Sequence, residues 1–344
     1  MYSHGLGLLF CLSLVTGQLV FGQSEVITPL FQSKEPLHLQ ASGSIKFIKK
    51  NTNDSTFNSG KFSYQNQSGE WIEMPVQTRV RGNFRLKHCY FPPLKLKLKK
   101  QSAKSTLFES NRALKLVVPC LNNSDKNILI LKEYLCYQFY EALTPYHFNT
   151  RLANLELTET SKKDKSRKYE LLCFFVEDNQ LVAERTHSKL VKNLKVAPGA
   201  FDDLHAARHD FLQYMIGNAD WSAVYQHNSN ALFDKKYIPL SYDFDMSGFV
   251  NADYARNNAP QLGTGDIRER VYRGFCKPDN VMEQVRKEFL QLEPTFIKII
   301  DDYASQFDDR NVKDMKEYLN QFFDILKDDA VFKYRILDNC RTDK

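Results

Sequence analysis

Through the first half of the chain, apolar and polar residues alternate in short runs, which is the pattern of half-buried β-strands. Residues 91–99 show it most clearly, because leucines and lysines alternate there and define one apolar and one charged face. Residues 129–143 instead carry an apolar residue at every fourth position, which predicts an amphipathic helix. The other predicted strands are residues 43–49, 60–64, 71–85, 113–118, 149–160 and 168–178, with a charged hairpin tip at 161–167.

The second half of the chain has helical periodicity. Residues 201–215, 280–307 and 311–326 predict amphipathic helices, whereas residues 251–277 are irregular. Strands followed by helices predict an α+β fold. The predicted organisation is a signal peptide (residues 1–22), a linker (23–37), a β-rich N-terminal lobe (38–187) and a helical C-terminal lobe (188–344).

The first 22 residues have the composition of a secretory signal peptide. Their apolar core is too short for a membrane span and ends at Val20-Phe21-Gly22, which resembles a cleavage site. No later stretch is apolar enough to span a bilayer. The sequence therefore predicts an exported protein, periplasmic or extracellular, with no transmembrane segment after cleavage. The alternative is an uncleaved signal anchor.

Composition narrows the possible partners. The chain is 42% hydrophobic and 26% charged, and its net charge of +6 is spread among nearly as many acids as bases. A nucleic-acid-binding protein more often shows a basic stripe interleaved with aromatic residues. The chain has no such stripe, so nucleic acid is not an expected partner.

Six cysteines follow the signal peptide, and an even number in an exported chain predicts disulfides. Cys136 and Cys173 lie within apolar stretches and are predicted to be buried thiols. No pair has the spacing of zinc ligands. The four remaining cysteines end strand-like segments or flank the C-terminal helices, and the predicted pairs are Cys89–Cys120 and Cys276–Cys340.

Residues 218–248 concentrate carboxylates and side-chain amides around two short apolar runs. Two strands joined by a turn would bring Asp220, Asn228 and Asp243 to one end of a hairpin. Such oxygens suit Mg²⁺, which takes one or two carboxylates together with substrate phosphates. Asp220 would then orient an attacking hydroxyl, and Asn228 and Asp243 would bind the metal. The alternative is that these residues only form turns and caps.

Phosphoryl transfer also needs a positive charge on the phosphates. The strand-rich half offers two candidates, Lys97 and Lys115. Glu133, on the predicted helix at residues 129–143, would hold that lysine in place. The alternatives are a solvated strand face for Lys97 and a surface helix charge for Glu133.

Four stretches of the chain resemble the spore coat protein H (CotH) kinase-like family, in its exported branch. The most specific are Arg-Gly-Asn at residues 81–83 and Asp-Phe-Asp at residues 243–245. The stretches are residues 79–97, 174–185, 218–228 and 239–248.

The resemblance implies an atypical protein-kinase-like fold with a β-rich N-lobe and a helical C-lobe. It also implies ATP- and Mg²⁺-dependent phosphorylation of Ser or Thr in a secreted or envelope partner protein. Asp220 resembles the catalytic aspartate, and Asn228 the catalytic-loop amide, which Asn230 could replace. Asp243 and Asp245 resemble the metal-binding acids.

The resemblance also assigns nucleotide-binding positions. Arg81 and Asn83 would lie near the phosphates, and Glu177 at the hinge between the lobes. The chain departs from the family where Trp221 follows the catalytic aspartate in place of the frequent arginine, and it has no Gly-x-Gly-x-x-Gly loop. Three functions stay open: an exported atypical kinase, a non-catalytic binding or assembly module, and a metal-dependent phosphoesterase.

Overall fold

The computed structural model describes residues 27–51, 55–160, 166–192, 194–256, 260 and 263–342, with the side chains of residues 83–85 excepted. The predicted signal peptide and residues 161–165 of the predicted hairpin tip lie outside the described residues. The strands are β1 (Leu37–Gly43), β2 (Asn58–Gln65), β3 (Trp71–Val80), β4 (Leu94–Lys97), β5 (Ala113–Val117), β6 (Thr150–Thr160), β7 (Ser166–Val176), β8 (Lys189–Val191), β9 (Ser229–Asp234) and β10 (Lys236–Ser241). The helices are α1 (Ile45–Lys50), α2 (Asn83–His88), α3 (Lys100–Ala103), α4 (Lys126–Leu143), α5 (Asn179–Arg185), α6 (Asp203–Met215), α7 (Asp253–Arg256), α8 (Asp279–Asp302), α9 (Asp309–Lys327) and α10 (Asp329–Phe332).

Strands β1 to β7 form one closed barrel in the order β1-β2-β3-β4-β5-β7-β6. Neighbouring strands are antiparallel except where the barrel closes, because β1 runs parallel to β6. This pairing extends from Leu37 opposite Ala153 to Gly43 opposite Glu159. It closes the sheet into a barrel around its own apolar core.

The predicted atypical protein-kinase-like fold is therefore wrong, although the mixed α+β class is confirmed. A kinase-like N-lobe is built on a β-sheet that does not close, whereas here β1 and β6 close the sheet into a barrel. The closing pair joins segments far apart in sequence, such as Leu37 and Ala153. Local alternation reports which face of a strand is buried and carries no information about this pairing.

The predicted strand at residues 43–49 is also wrong, because β1 ends at Gly43 and a short helix, α1, follows. Ser44 begins the helix, since its hydroxyl accepts a hydrogen bond from the Phe47 backbone N–H at 3.2 Å. Ile45 and Ile48 lie three positions apart, which places both on one side of the helix, toward the barrel interior.

The lysine-rich alternation is confirmed in β4 and β5, where Leu96 and Leu114 are buried inside the barrel. Lys95 and Lys115 oppose each other on the other face. The strand is shorter than predicted, because Pro92 and the proline after it precede β4 and cannot donate ladder hydrogen bonds.

A second core forms around α4, which confirms the helix predicted at residues 129–143. The helix packs against β7 and against α8, and it is buried on nearly every side. Phe139, for example, meets the rings of Phe249 and Phe296 edge-on at 5.3 and 5.6 Å between centroids. The long helices α8 and α9 are confirmed as well, each with one buried face. Among the described residues, no helix combines the length and apolarity that crossing a bilayer requires.

Four of the described cysteines form two disulfides, Cys89–Cys120 and Cys276–Cys340, as predicted. Cys136 and Cys173 are buried thiols, also as predicted. Disulfides of this kind are compatible with a secreted protein. The second bridge joins the segment before α8 to the end of the described chain and spans 64 residues.

Removing the Cys276–Cys340 bridge by a double Cys→Ser substitution should lower the free energy of unfolding by about 4 kcal/mol, because the bridge restricts a long loop in the unfolded chain. Urea denaturation of the two proteins measures the difference. The matched Cys89→Ser/Cys120→Ser protein, whose loop spans 31 residues, should lose slightly less. Unchanged midpoints in both variants would contradict this expectation.

Candidate functional site

The β9–β10 hairpin brings the predicted acidic and amide residues to its open end. The strands pair from Asp234 opposite Lys236 at the turn to Ser229 opposite Ser241. Beyond the last pair, the Tyr242 backbone N–H donates to the Asn228 carbonyl at 3.1 Å. Asn228 and Asp243 therefore leave the hairpin side by side, as the sequence predicted. Both have positive φ, 47° and 67°, a region that Asn and Asp enter more readily than most residues.

Asp220 joins this end through its side chain. The Asn228 amide donates to the Asp220 carbonyl at 2.8 Å and to its Oδ2 at 3.0 Å. Asp220 Oδ1 lies 2.7 Å from His227 Nε2. Because an ionised carboxylate only accepts, Nε2–H is the donor, and when the ring is neutral Nδ1 is its acceptor nitrogen. The His227 side chain is 59% exposed and that of Asp220 is 22% exposed, so solvent and substrates can reach the pair.

A buried chain of amides fixes the loop that carries Asp220. Gln213, on α6, donates to the Ser241 hydroxyl at 2.7 Å and accepts from the Asn218 side-chain amide at 2.9 Å. The Asn218 side-chain oxygen in turn accepts from the Asp220 backbone N–H at 3.0 Å. Because all the supporting side chains are buried, Asp220 is held by the same elements that hold the hairpin.

On the barrel side, Lys115 reaches the hairpin. Its ammonium lies 4.3 Å from the ring centre of Tyr242 and 4.5 Å from that of Phe148. It also donates to Asn179 Oδ1 at 3.0 Å. The contact with Tyr242 sets the ammonium beside the residue that precedes Asp243. We call Asp220, His227, Asn228, Asp243 and Lys115 the junction site, because they lie where the barrel meets the hairpin.

Burial lowers the pKa of Lys115 well below its usual range, and the positive charge of Arg81 lowers it further. The carboxylates of Asp178 and Asp243 oppose this shift. The positive charge of Lys95 also lowers the pKa of Lys115, and burial lowers the pKa of Lys95 itself. The site therefore concentrates positive charge that an anion would stabilise.

The cations form an ordered row across the outer face of the barrel. Arg79 pairs with Lys95 across β3 and β4, and Lys95 pairs with Lys115 across β4 and β5. Arg81, just after β3, has its guanidinium 5.9 Å from the Tyr242 ring centre. A row of this kind on adjacent strands can contact several phosphate oxygens at once.

The two acids of Asp-Phe-Asp have different surroundings. The Asp243 backbone N–H donates to the Tyr137 hydroxyl on α4 at 3.0 Å, and its carboxylate acts electrostatically on Lys115. Asp245 is only 5% exposed and accepts from the Tyr254 hydroxyl at 2.9 Å. The Asp243 carboxylate therefore lies close enough to Lys115 to act on its charge.

Two predicted residues, Lys97 and Glu133, have other surroundings. Lys97 is exposed, with its ammonium 4.0 Å from the Phe57 ring centre. Glu133 is buried on α4 near Tyr137, and no ion pair between described residues joins it to Lys115. The side chain of Asn83 lies outside the described residues.

Glu177 belongs to a buried polar network. Its Oε2 accepts from the backbone and side-chain amides of Asn149 at 3.0 and 3.1 Å, and Arg185 lies 3.3 Å away. Burial raises the pKa of Glu177, and the Arg185 charge opposes that rise. The arrangement ties the end of β7 to the end of α5.

The donor set has the composition of a phosphate-bridged Mg²⁺ site. Among the described residues, no group of three or more His, Cys, Asp or Glu side chains could hold a metal alone. The open end of the hairpin carries Asn228 and Asp243 at the ends of its two strands, and Asp220 is hydrogen-bonded to Asn228. Mg²⁺ accepts one or two carboxylates when substrate phosphates and water complete the octahedron, so these residues fit the ion together with a phosphorylated substrate.

The sequence did not single out His227, nor two residues that contact Lys115. The position of His227 directly before Asn228 is the signal that could have placed it near Asp220. Tyr242 and Asn179 contact Lys115 across elements far apart in sequence. The one sequence signal for these two residues is that they lie within the stretches 239–248 and 174–185, which carry predicted site residues.

Comparison with known proteins adds no identification: no family model, no curated protein and no solved structure matches the chain.

Replacing Lys115 by Met should raise the free energy of unfolding at pH 7 by roughly 1–4 kcal/mol, because the variant no longer buries an ammonium. Lys115 has a folded-state pKa below its unfolded value of 10.5. At pH values between these two pKa values, the unfolded wild-type chain binds more protons than the folded protein does. The stability of the wild type therefore rises with pH in this range. The advantage of the variant should therefore shrink as pH approaches 10.5.

Denaturant unfolding between pH 7 and 10.5 measures this difference. The matched control is Lys97→Met, which removes an exposed lysine from the neighbouring strand and should change stability little. A Lys115→Met protein less stable than wild type at pH 7, with a gap independent of pH, would contradict the expectation.

Proposed function

We propose that the junction site transfers the terminal phosphoryl group of ATP to a Ser or Thr hydroxyl of a secreted or envelope protein, with Mg²⁺ as cofactor. The supporting observation is the contact of Lys115 with the Tyr242 ring, which brings a buried ammonium beside Asp243. Phosphoryl transfer depends mainly on positioned charge, and this contact pairs a cation for the phosphates with an acid for the metal.

The phosphates would contact the barrel side. The positive charges of Arg81 and Lys95 lower the pKa of Lys115, and that of Arg81 also lowers the pKa of Lys95, so an entering polyphosphate relieves this repulsion. Mg²⁺, when bound, would neutralise negative charge on the phosphate oxygens. Asp243 and the Asn228 side-chain oxygen would hold it, with Asp245 supporting the segment through Tyr254.

Asp220 and His227 would activate the acceptor hydroxyl. The Asp220 carboxylate orients the imidazole through Nε2–H, and Nδ1 can then accept the hydroxyl proton. The hydroxyl oxygen attacks the terminal phosphorus, the bond to the bridging oxygen breaks, and ADP leaves. Asp220 can also contact the hydroxyl directly, as its carboxylate is partly exposed.

The proposed location outside the cytoplasm is supported by the two disulfides, which need an oxidising compartment. The resemblance to the spore coat protein H kinase-like family is proposed only for the motifs around the site. It does not extend to a kinase-like fold, because the barrel replaces that lobe.

A second candidate is a metal-dependent phosphoesterase, which the exposure of His227 favours, since water reaches that imidazole as easily as a protein hydroxyl does. The two candidates share the metal and the phosphate contacts. They differ in the acceptor and therefore in whether labelled phosphate remains on a protein.

Replacing Asp243 by Asn should weaken Mg²⁺-dependent ATP binding about 10- to 100-fold, because a contact with a charged group contributes on the order of 1.5–3 kcal/mol. Calorimetric titration with ATP, with and without Mg²⁺, measures the loss. Asp234→Asn is the matched control, since Asp234 lies at the opposite, exposed end of the same hairpin. If wild type shows no saturable ATP binding, the proposed function fails and a non-catalytic binding role takes its place.

Replacing Asp220 by Asn, or His227 by Gln, should lower the rate of phosphoryl transfer about 10²–10⁴-fold while ATP still binds. The assay follows γ-labelled ATP with proteins exported alongside this chain. His187→Gln is the control for a distant exposed histidine. Label on protein supports a kinase, whereas free phosphate without an acceptor supports the phosphoesterase. Wild-type rates in both variants would remove Asp220 and His227 from the chemistry.

A further inference from the structure

The interior of the barrel contains a cavity of about 220 Å³ at the end where β1 finishes. All seven barrel strands contribute to its lining, together with α1. The lining is almost wholly aliphatic or aromatic, and typical members are Leu39, Val76, Leu96, Leu116, Leu155 and Phe175. This cavity lies inside the barrel, whereas Lys115 projects from its outer face, so the two sites are separate.

The cavity exists because the inward positions at this end are small. Along β1 the inward side chains change from Leu37 and Leu39 to Ala41 and Gly43. Along β2, Gly60 precedes the inward-facing Phe62 by two residues. A Cβ atom built on Gly43 or on Gly60 would meet no other atom within 4 Å.

Beyond the cavity, the barrel core contains a cluster of packed aromatic rings. Phe108 meets the rings of Phe62 and Tyr64 edge-on, each at 5.2 Å between centroids, and Phe175 at 5.6 Å. Barrels of about eight strands either fill with side chains or hold one small ligand. In this barrel, aromatic side chains fill part of the interior, and the cavity leaves room for one small ligand.

The chemistry of the cavity selects an apolar occupant. A buried water needs two to four polar partners, whereas an apolar cavity of about 150 Å³ stays dry and takes up a hydrocarbon. The polar groups that line this cavity come from the ends of strands, including Ser42, Asn58 and Thr78. The hydrophobic part of a ligand would thus lie deep in the barrel, with a polar part at the mouth.

The helix at the mouth of the cavity carries three lysines. Helix α1 lies there with Ile45 and Ile48 toward the cavity, while Lys46 and Lys50 are exposed on the same helix. Lys49 is fixed by donating to the Cys89 carbonyl at 2.6 Å. The acid at this rim, Glu159, accepts hydrogen bonds from the hydroxyls of Tyr90 and Tyr169 at 3.2 Å each.

We propose that the barrel binds one molecule of an unbranched fatty acid. The hydrocarbon tail fills the space left by Ala41, Gly43 and Gly60. The carboxylate lies at the mouth, where Lys46 and Lys50 supply the complementary charge.

The first test is calorimetric titration of the full chain with octanoate, decanoate and dodecanoate below their micellar concentrations. One-site binding should tighten about fourfold for each methylene that enters the cavity. Gly60→Phe should abolish dodecanoate binding and leave the protein folded, because Gly60 lines the open end of the cavity and a side chain there meets no other atom. Gly199→Phe, at an exposed glycine outside the barrel, is the matched control and should bind as wild type does.

Gly43→Leu gives the same readout if the Gly60 variant does not fold. Absence of saturable binding to wild type would overturn the proposal, and so would wild-type affinity in a folded Gly60→Phe or Gly43→Leu protein. ATP binding at the junction site should be the same in wild type and these variants, so failure here is distinct from failure of the proposed kinase.

The second test concerns the head group. Lys46→Gln/Lys50→Gln should weaken dodecanoate binding about three- to tenfold, since exposed charge pairs are individually modest. Binding of dodecanol, which has the same tail and no charge, should not change. Equal affinity of the double variant and wild type for dodecanoate would overturn the assignment of the carboxylate to these lysines.

Discussion

The contact between the Lys115 ammonium and the ring of Tyr242 is the interaction on which the candidate site depends. It joins a barrel strand to the open end of the β9–β10 hairpin, at 4.3 Å from ammonium to ring centre. Burying an ammonium is costly, and here two aromatic rings and the Asn179 side chain offset part of that cost. A fold that keeps a lysine in such a position has its charge held in place before any ligand arrives, which is what phosphate recognition requires.

The chemistry of the site is divided between two bodies of structure. The barrel supplies cations from adjacent strands, and the hairpin with its loop supplies Asp220, His227, Asn228 and Asp243. The buried amides of Gln213 and Asn218 connect the loop to the hairpin, so the acidic side is held together by its own hydrogen bonds. Any motion between barrel and hairpin would therefore change the distance between the cations and Asp243 without altering either half.

The period-two geometry of a strand gives the barrel two separate surfaces. In β5, Leu114 and Leu116 face the interior, and Lys115 between them faces the hairpin. Polar chemistry is thereby confined to the outside, and the apolar cavity to the inside. The two proposed sites share strands while having no side chain in common.

The sequence alone determined the local features: the alternation that gives strands two faces, the stripe of α4, the hairpin that unites Asp220 with Asn228 and Asp243, and both disulfide pairs. These follow from short-range periodicity and from positions at the ends of segments. The tertiary structure alone decided that β1 closes on β6, that Lys115 and not Lys97 reaches the hairpin, and that the barrel encloses a cavity. The physical reason is that periodicity reports how each segment divides its faces between core and solvent, whereas pairing between distant segments depends on how all of those faces pack together.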